Sequence, residues 1–83
     1  MSKIYVTSTW LNSGEPHGLI AKNVVECDNW DEANKVLDGM QNDRSCGYVR
    51  WTYEKPYYRP GKYRVTTTYG KDYPKGWIPW NRR

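Results

Sequence analysis

Phenylalanine is missing from this 83-residue chain, and branched aliphatic residues are few. Its 8 tyrosines and 5 tryptophans must therefore supply much of the apolar burial. Each ring buries a large area while keeping a polar atom for a partner. Cysteine is scarce: Cys27 and Cys46 form neither a disulfide framework nor a metal-ligand pattern. They are expected to be reduced thiols. The single histidine, His17, lies in a polar loop with only Glu15 nearby in sequence, and reads as a surface residue. No HExxH, CxxC, GxSxG or glycine-rich phosphate loop occurs. Helix capping accounts for the one tight acidic cluster, Asp28, Asp31 and Glu32. A non-catalytic protein without metal or cofactor is expected.

Long apolar runs are also missing. No stretch approaches the ~20 apolar residues that a membrane-spanning helix needs. The first ten residues, MSKIYVTSTW, lack the charged-then-apolar layout of a signal peptide. The expectation is a cytoplasmic chain with no membrane association. Its length sets a single domain over residues 1–83, with a core near the small-domain limit. A mean hydropathy of −1.01 is low, but 16% aromatic content favours a folded chain over a disordered one.

What the chain does have is unevenly placed. Residues 1–43 carry 3 Lys/Arg and 7 acids, whereas residues 44–83 carry 10 Lys/Arg and 2 acids. The second part also holds 10 of the 13 Tyr and Trp residues. A net charge of +4 and a pI near 9.1 are ordinary values, but a contrast of −4 against +8 between the parts predicts an anion-seeking end.

Taken in order, Lys3–Leu11 is rich in β-branched and aromatic residues and reads as a strand. Its alternation is imperfect, with Ile4, Val6, Ser8 and Trp10 on one face. A turn-rich loop through Gly18 leads to a second strand, Leu19–Cys27. Asn29 followed by Glu32 is a capping-box pattern, and Trp30, Ala33, Val36, Leu37 and Met40 recur at helical spacing. This predicts a helix over Asn29–Gln41 whose stripe is core. Gly39 is expected to weaken its last turn.

Period-two patterning then returns. One strand places Val49 and Trp51 on its core side; another, Lys62–Tyr69, is assigned Tyr63 and Val65 on the core side. Arg50, Arg64 and the threonines are left facing outward together. The two strands read as a hairpin, with Pro56 and Pro60 pushing the segment between them out of the sheet. The remainder, from Gly70, is an irregular C-terminal tail in which Trp77 and Trp80 are either pinned to the domain or displayed.

The resulting fold class is α+β: a small four-stranded, mainly antiparallel sheet with one helix on one face, in the order ββαββ. The other face stays open. Basic residues interleaved with aromatics suit nucleic acid, through phosphate neutralisation and base stacking. Candidate contacts are Arg50, Lys55, Tyr57, Tyr58, Arg59, Lys62, Arg64, Lys71, Lys75, Trp77 and Trp80. The alternative is a protein-binding inhibitory or accessory module that docks on an acidic protein surface, since Tyr, Trp and Arg also dominate protein interfaces. The open face equally suits a second copy of the chain. In size, ββαββ order and lack of catalytic motifs, the chain resembles small accessory proteins encoded by bacteriophages, some of which bind and inhibit host enzymes. That resemblance implies the second role and places no residue.

Overall fold

Strand β1, Ile4–Trp10, alternates strictly between buried and half-buried positions. The face that reads as irregular in sequence, Ile4, Val6, Ser8 and Trp10, is the buried one. Ser8 is tolerated there because Asn23 lies opposite it on strand β2, Ile20–Cys27, and donates from Nδ2 to its hydroxyl at 3.3 Å. A matched polar pair thus replaces two apolar residues without leaving either amide or hydroxyl orphaned. β1 and β2 run antiparallel, with Ile4 opposite Cys27 and Val6 opposite Val25.

This is seen in a computed structural model, which describes residues 2–11, 18–73 and 75. His17, Trp77 and Trp80 lie outside the described residues.

Helix α1, Trp30–Gln41, starts where its sequence says it should. The Asn29 side chain accepts from the Glu32 amide at 2.9 Å, and the Glu32 carboxylate accepts from the Asp28 amide at 3.0 Å. Two free N–H groups of the first turn region are thereby satisfied. Ala33, Val36 and Met40 are buried against Ile4, Val6, Val25 and Cys27, with Leu37 and Val49 at the margin. Trp30 departs from the expected core stripe. It is part-exposed and makes edge-on ring contacts with Trp51 and Tyr53 at 4.9 and 6.3 Å.

Gly39 has a role beyond weakening the helix. The Tyr73 ring is only 6% exposed and lies across Gly39, so a Cβ there would overlap it. Tyr73 follows a 3-10 turn, Gly70–Asp72, and closes the core from the far side of the helix.

The sheet corrects one expectation. Strand order is β3-β1-β2-β4, where β3 is Cys46–Thr52 and β4 is Tyr63–Tyr69. β3 pairs antiparallel with β1, whereas β4 pairs parallel with β2. The sheet is therefore mixed, and the expected β3–β4 hairpin does not form. The two strands sit at opposite edges and point the same way. β3 ends level with Tyr5 and Glu26; β4 begins level with Ile20. Residues 53–62 must run the length of the sheet and pass two strands, a path of roughly 25 Å within the ~33 Å reach of ten extended residues. The prolines do keep this segment out of the ladders, as expected, but it is a crossover and not a hairpin tip.

Register also reverses the faces of β4. Tyr63, Val65, Thr67 and Tyr69 are partnered with Ile20, Lys22, Val24 and Glu26, on the face away from the helix. Arg64, Thr66 and Thr68 share the helix side with Ala21, Asn23 and Val25. Thr68 is buried there. α1 rests on β1, β2 and β3, so that side of β4 needs no row of large apolar residues.

Candidate functional site

The open face is the side of the sheet opposite α1. Its floor is Thr7 and Thr9 of β1 with Ile20 and Lys22 of β2. β3 brings Tyr48 and Arg50 to one side, and Tyr58 and Tyr63 close the other. Together they line a groove of about 480 Å³. Among the described residues, no carboxylate lines it.

Lys22 is the centre of this arrangement. Its Nζ donates to the Thr9 hydroxyl at 2.6 Å and lies over the Tyr58 and Tyr63 rings, 5.7 and 5.5 Å from their centroids. Those rings are themselves in tilted contact at 5.3 Å. Burial, and secondarily the charge of Arg50, lowers the Lys22 pKa below that of an ordinary lysine. An ammonium held between ring faces and beside a second cation gains from any anion that enters.

Tyr48 shares the face of Arg50 by alternation, and it sits at an irregularity in β3. Between Thr7 and Thr9 of β1, the ladder to β3 shifts register, with Arg50 opposite Thr7 and Gly47 opposite Thr9. The extra residue makes a β-bulge, and Tyr48 takes a φ of 54°. It is the one non-glycine residue with positive φ among the described residues, and its ring is 73% exposed.

Of the residues expected from sequence, the structure brings Arg50 and Tyr58 into the groove. Tyr57, next to Tyr58 on the crossover, is 83% exposed. Lys55 and Arg59 are exposed on the same segment, and Lys62 lies over the outer side of the Tyr63 ring at 5.8 Å. Of these four, Lys62 touches a groove residue through Tyr63, and the other three are exposed on the crossover that carries Tyr58. Arg64 does not join them: it is on the helix side at the other edge from Arg50, which corrects the expected pairing. Lys71 stands past the end of β4, near enough to Asp28 to help lower its pKa after the larger effect of Lys3. Lys75 is exposed beyond Tyr73.

Sequence reasoning missed Lys22, because it belongs to the acidic part of the chain. It also left Tyr63 on the wrong face. Glu26 lies on the open face at the end where it is level with Tyr5 and Tyr69. There Lys3 bridges Glu26 and Asp28 at 3.2 and 2.6 Å.

A second concavity, about 420 Å³, lies on the helix side between Ser2, Ile4, Asp28, Asn29, Trp30 and Tyr53. Among the described residues there is no cluster of His, Cys, Asp or Glu able to hold a metal ion, and no helix is long and apolar enough to cross a membrane. Both cysteines are free thiols, Cys27 buried and Cys46 half-buried. No protein-family model, curated protein or solved structure matches the chain.

Proposed function

We propose that this protein is a non-catalytic nucleic-acid-binding module that works through the open face of its sheet. The observation that supports this is the convergence of Lys22 and Arg50 on a tyrosine-lined groove with no acid among its described lining residues. Both cations flank β1, roughly 12 Å apart at Cα by strand spacing and rise. A phosphate placed between two such long side chains meets both. Lys55, Arg59 and Lys62, all exposed on the crossover that carries Tyr58, add positive charge along that segment.

The test is binding of a labelled oligonucleotide across a salt series. Affinity should fall steeply with salt, because neutralised phosphates release counterions. In a Lys22→Met/Arg50→Gln double variant, which loses that one phosphate contact, the slope of log K against log salt should shrink by about 0.7 for a single strand. No binding by the wild type at low salt would sink the proposal.

A protein-docking role is the second reading, and a separate observation favours it. Trp30, Trp51 and Tyr53 are all at least part-exposed and form an edge-on aromatic cluster beside the second concavity, away from the cations. Clustered aromatics of this kind anchor protein interfaces. Retention of one partner after nuclease digestion, lost on Trp51→Ala but not on Arg50→Gln, would favour this reading.

A further inference from the structure

The proposed function leaves open what form of nucleic acid the groove takes and which residue reads its bases. We infer that the groove is a seat for a single strand, with one phosphate between Lys22 and Arg50 and an unpaired base stacked on Tyr48. This rests on the nucleic-acid reading and goes beyond it.

Three observations carry the inference. The first is shape. The sheet forms the floor, with Tyr48 of the β3 bulge on one side and Tyr58 of the crossover on the other. A space of about 480 Å³ is the size of a small-ligand cleft. It admits a nucleotide unit, but a duplex would meet it only with the convex outside of its backbone.

The second is which ring faces are free. Tyr58 and Tyr63 are in tilted contact with each other and both engage the Lys22 ammonium, so each already has a ring and a cation partner. Tyr48 has no ring or cation partner of that kind in the described structure and is 73% exposed. An exposed ring can stack on an unpaired base, whereas bases inside a duplex are already stacked on one another.

The third is backbone strain. A bulky residue at φ 54° occupies the region that glycine and asparagine favour, and holding it there opposes folding. Regular alternation would also set Tyr48 on Arg50's face; the bulge leaves it there as the extra residue without a partner opposite it on β1. A strained tyrosine, exposed and beside two cations, fits a residue placed for contact better than one placed for packing.

Specific base-edge reading is absent from this picture. Stacking on tyrosine accepts any base. The seat should therefore discriminate strandedness more than sequence.

The experiment compares a short oligothymidylate with the same strand annealed to its complement, using wild type, Tyr48→Gly and Tyr48→Phe. Each variant is also followed by thermal unfolding. The wild type should bind the single strand more tightly than the duplex. Tyr48→Gly should lose about 5- to 150-fold in single-strand affinity, the range for one stacked base. Its melting temperature should match or exceed that of wild type, because glycine relieves the strained φ. Tyr48→Phe should bind within about twofold of wild type, since the ring face is kept. Equal binding of duplex and single strand would overturn the inference. So would unchanged affinity in Tyr48→Gly, or a clear fall in its melting temperature, which would make Tyr48 a packing residue. Those outcomes leave the broader nucleic-acid reading standing, whereas a wild type that binds neither probe removes both.

Discussion

Lys22 on β2 and Arg50 on β3 face the same side of the sheet from opposite flanks of β1, and the Arg50 charge adds to burial in making the Lys22 charge harder to hold. Around these two cations the groove is lined by hydroxyls, rings and one aliphatic side chain, with no carboxylate among its described lining residues.

Titration should reveal this pair. The folded-state pKa of Lys22 is lowered, by burial first and Arg50 second, with Tyr48, Tyr58, Tyr63 and the Thr9 hydroxyl also facing it. Its charge, and the anion affinity that depends on it, is therefore complete below the lowered value and declines as pH rises through it. For stability the sign is opposite. The unfolded chain binds more protons at this site, so its contribution to stability rises through that window. Oligonucleotide binding measured from neutral pH upward should decline earlier in wild type than in Lys22→Arg, which does not titrate there.

The two arginines on the edge strands should behave differently. Arg50→Gln removes a groove cation and should weaken oligonucleotide binding about tenfold or more, as expected for a charge-assisted contact. Arg64→Gln lies on the helix side of the opposite edge and should change binding less than about twofold. Equal losses would mean that the ligand does not occupy the open face.

Gly39→Ala offers a test of the core. On helix propensity alone alanine would stabilise by about 1 kcal/mol. Here the added methyl meets the buried Tyr73 ring, so overpacking should win and the variant should be destabilised by about 1–3 kcal/mol in denaturant unfolding. The paired Gly39→Ala/Tyr73→Leu variant should recover part of that loss.

The helix start can be probed separately. Asn29→Ala deletes the side chain that accepts from the Glu32 amide and should cost about 1 kcal/mol. Asn29→Asp should hold stability, because it keeps the acceptor and adds favourable charge at the N-terminus.

Thiol labelling should separate the cysteines. Burial pushes the Cys27 thiol up to about 11, with Glu32, Asp28 and Glu26 adding to the shift. Little thiolate then exists near neutral pH, and Cys27 should alkylate at the rate of global unfolding. Cys46, only half-buried, should label faster.

Local signals made the elements legible: the Asn29–Glu32 cap, the three- and four-residue apolar spacing of α1, and the β-branched runs on either side. Strand order was not legible, for a definite reason. Consecutive strands usually neighbour each other, and an eight- to ten-residue proline-bearing segment reads alike whether it turns back or crosses over. The faces of β4 were equally ambiguous. Tyr63 and Val65 look like core residues against Arg64 and Thr66, but α1 rests on the other three strands, and the apolar row of β4 is left on the open side. Half the site followed from composition, since Arg50 and Tyr58 stand in basic, aromatic surroundings. Lys22 carried no such mark; its role appears only once β2 is seen between β1 and β4.

Pro56 and Pro60 bracket Tyr57, Tyr58 and Arg59 on the crossover. Each ring fixes one backbone torsion, so this strip of chain has less freedom to lose when a guest arrives. Tyr58 is already seated against Tyr63, and Lys22 is already poised above both. The entropy of assembling that wall is met during folding, not during capture, which leaves more of the contact energy to appear as affinity. Replacing both prolines with alanine should thus speed release of a bound strand while leaving the four-stranded sheet intact.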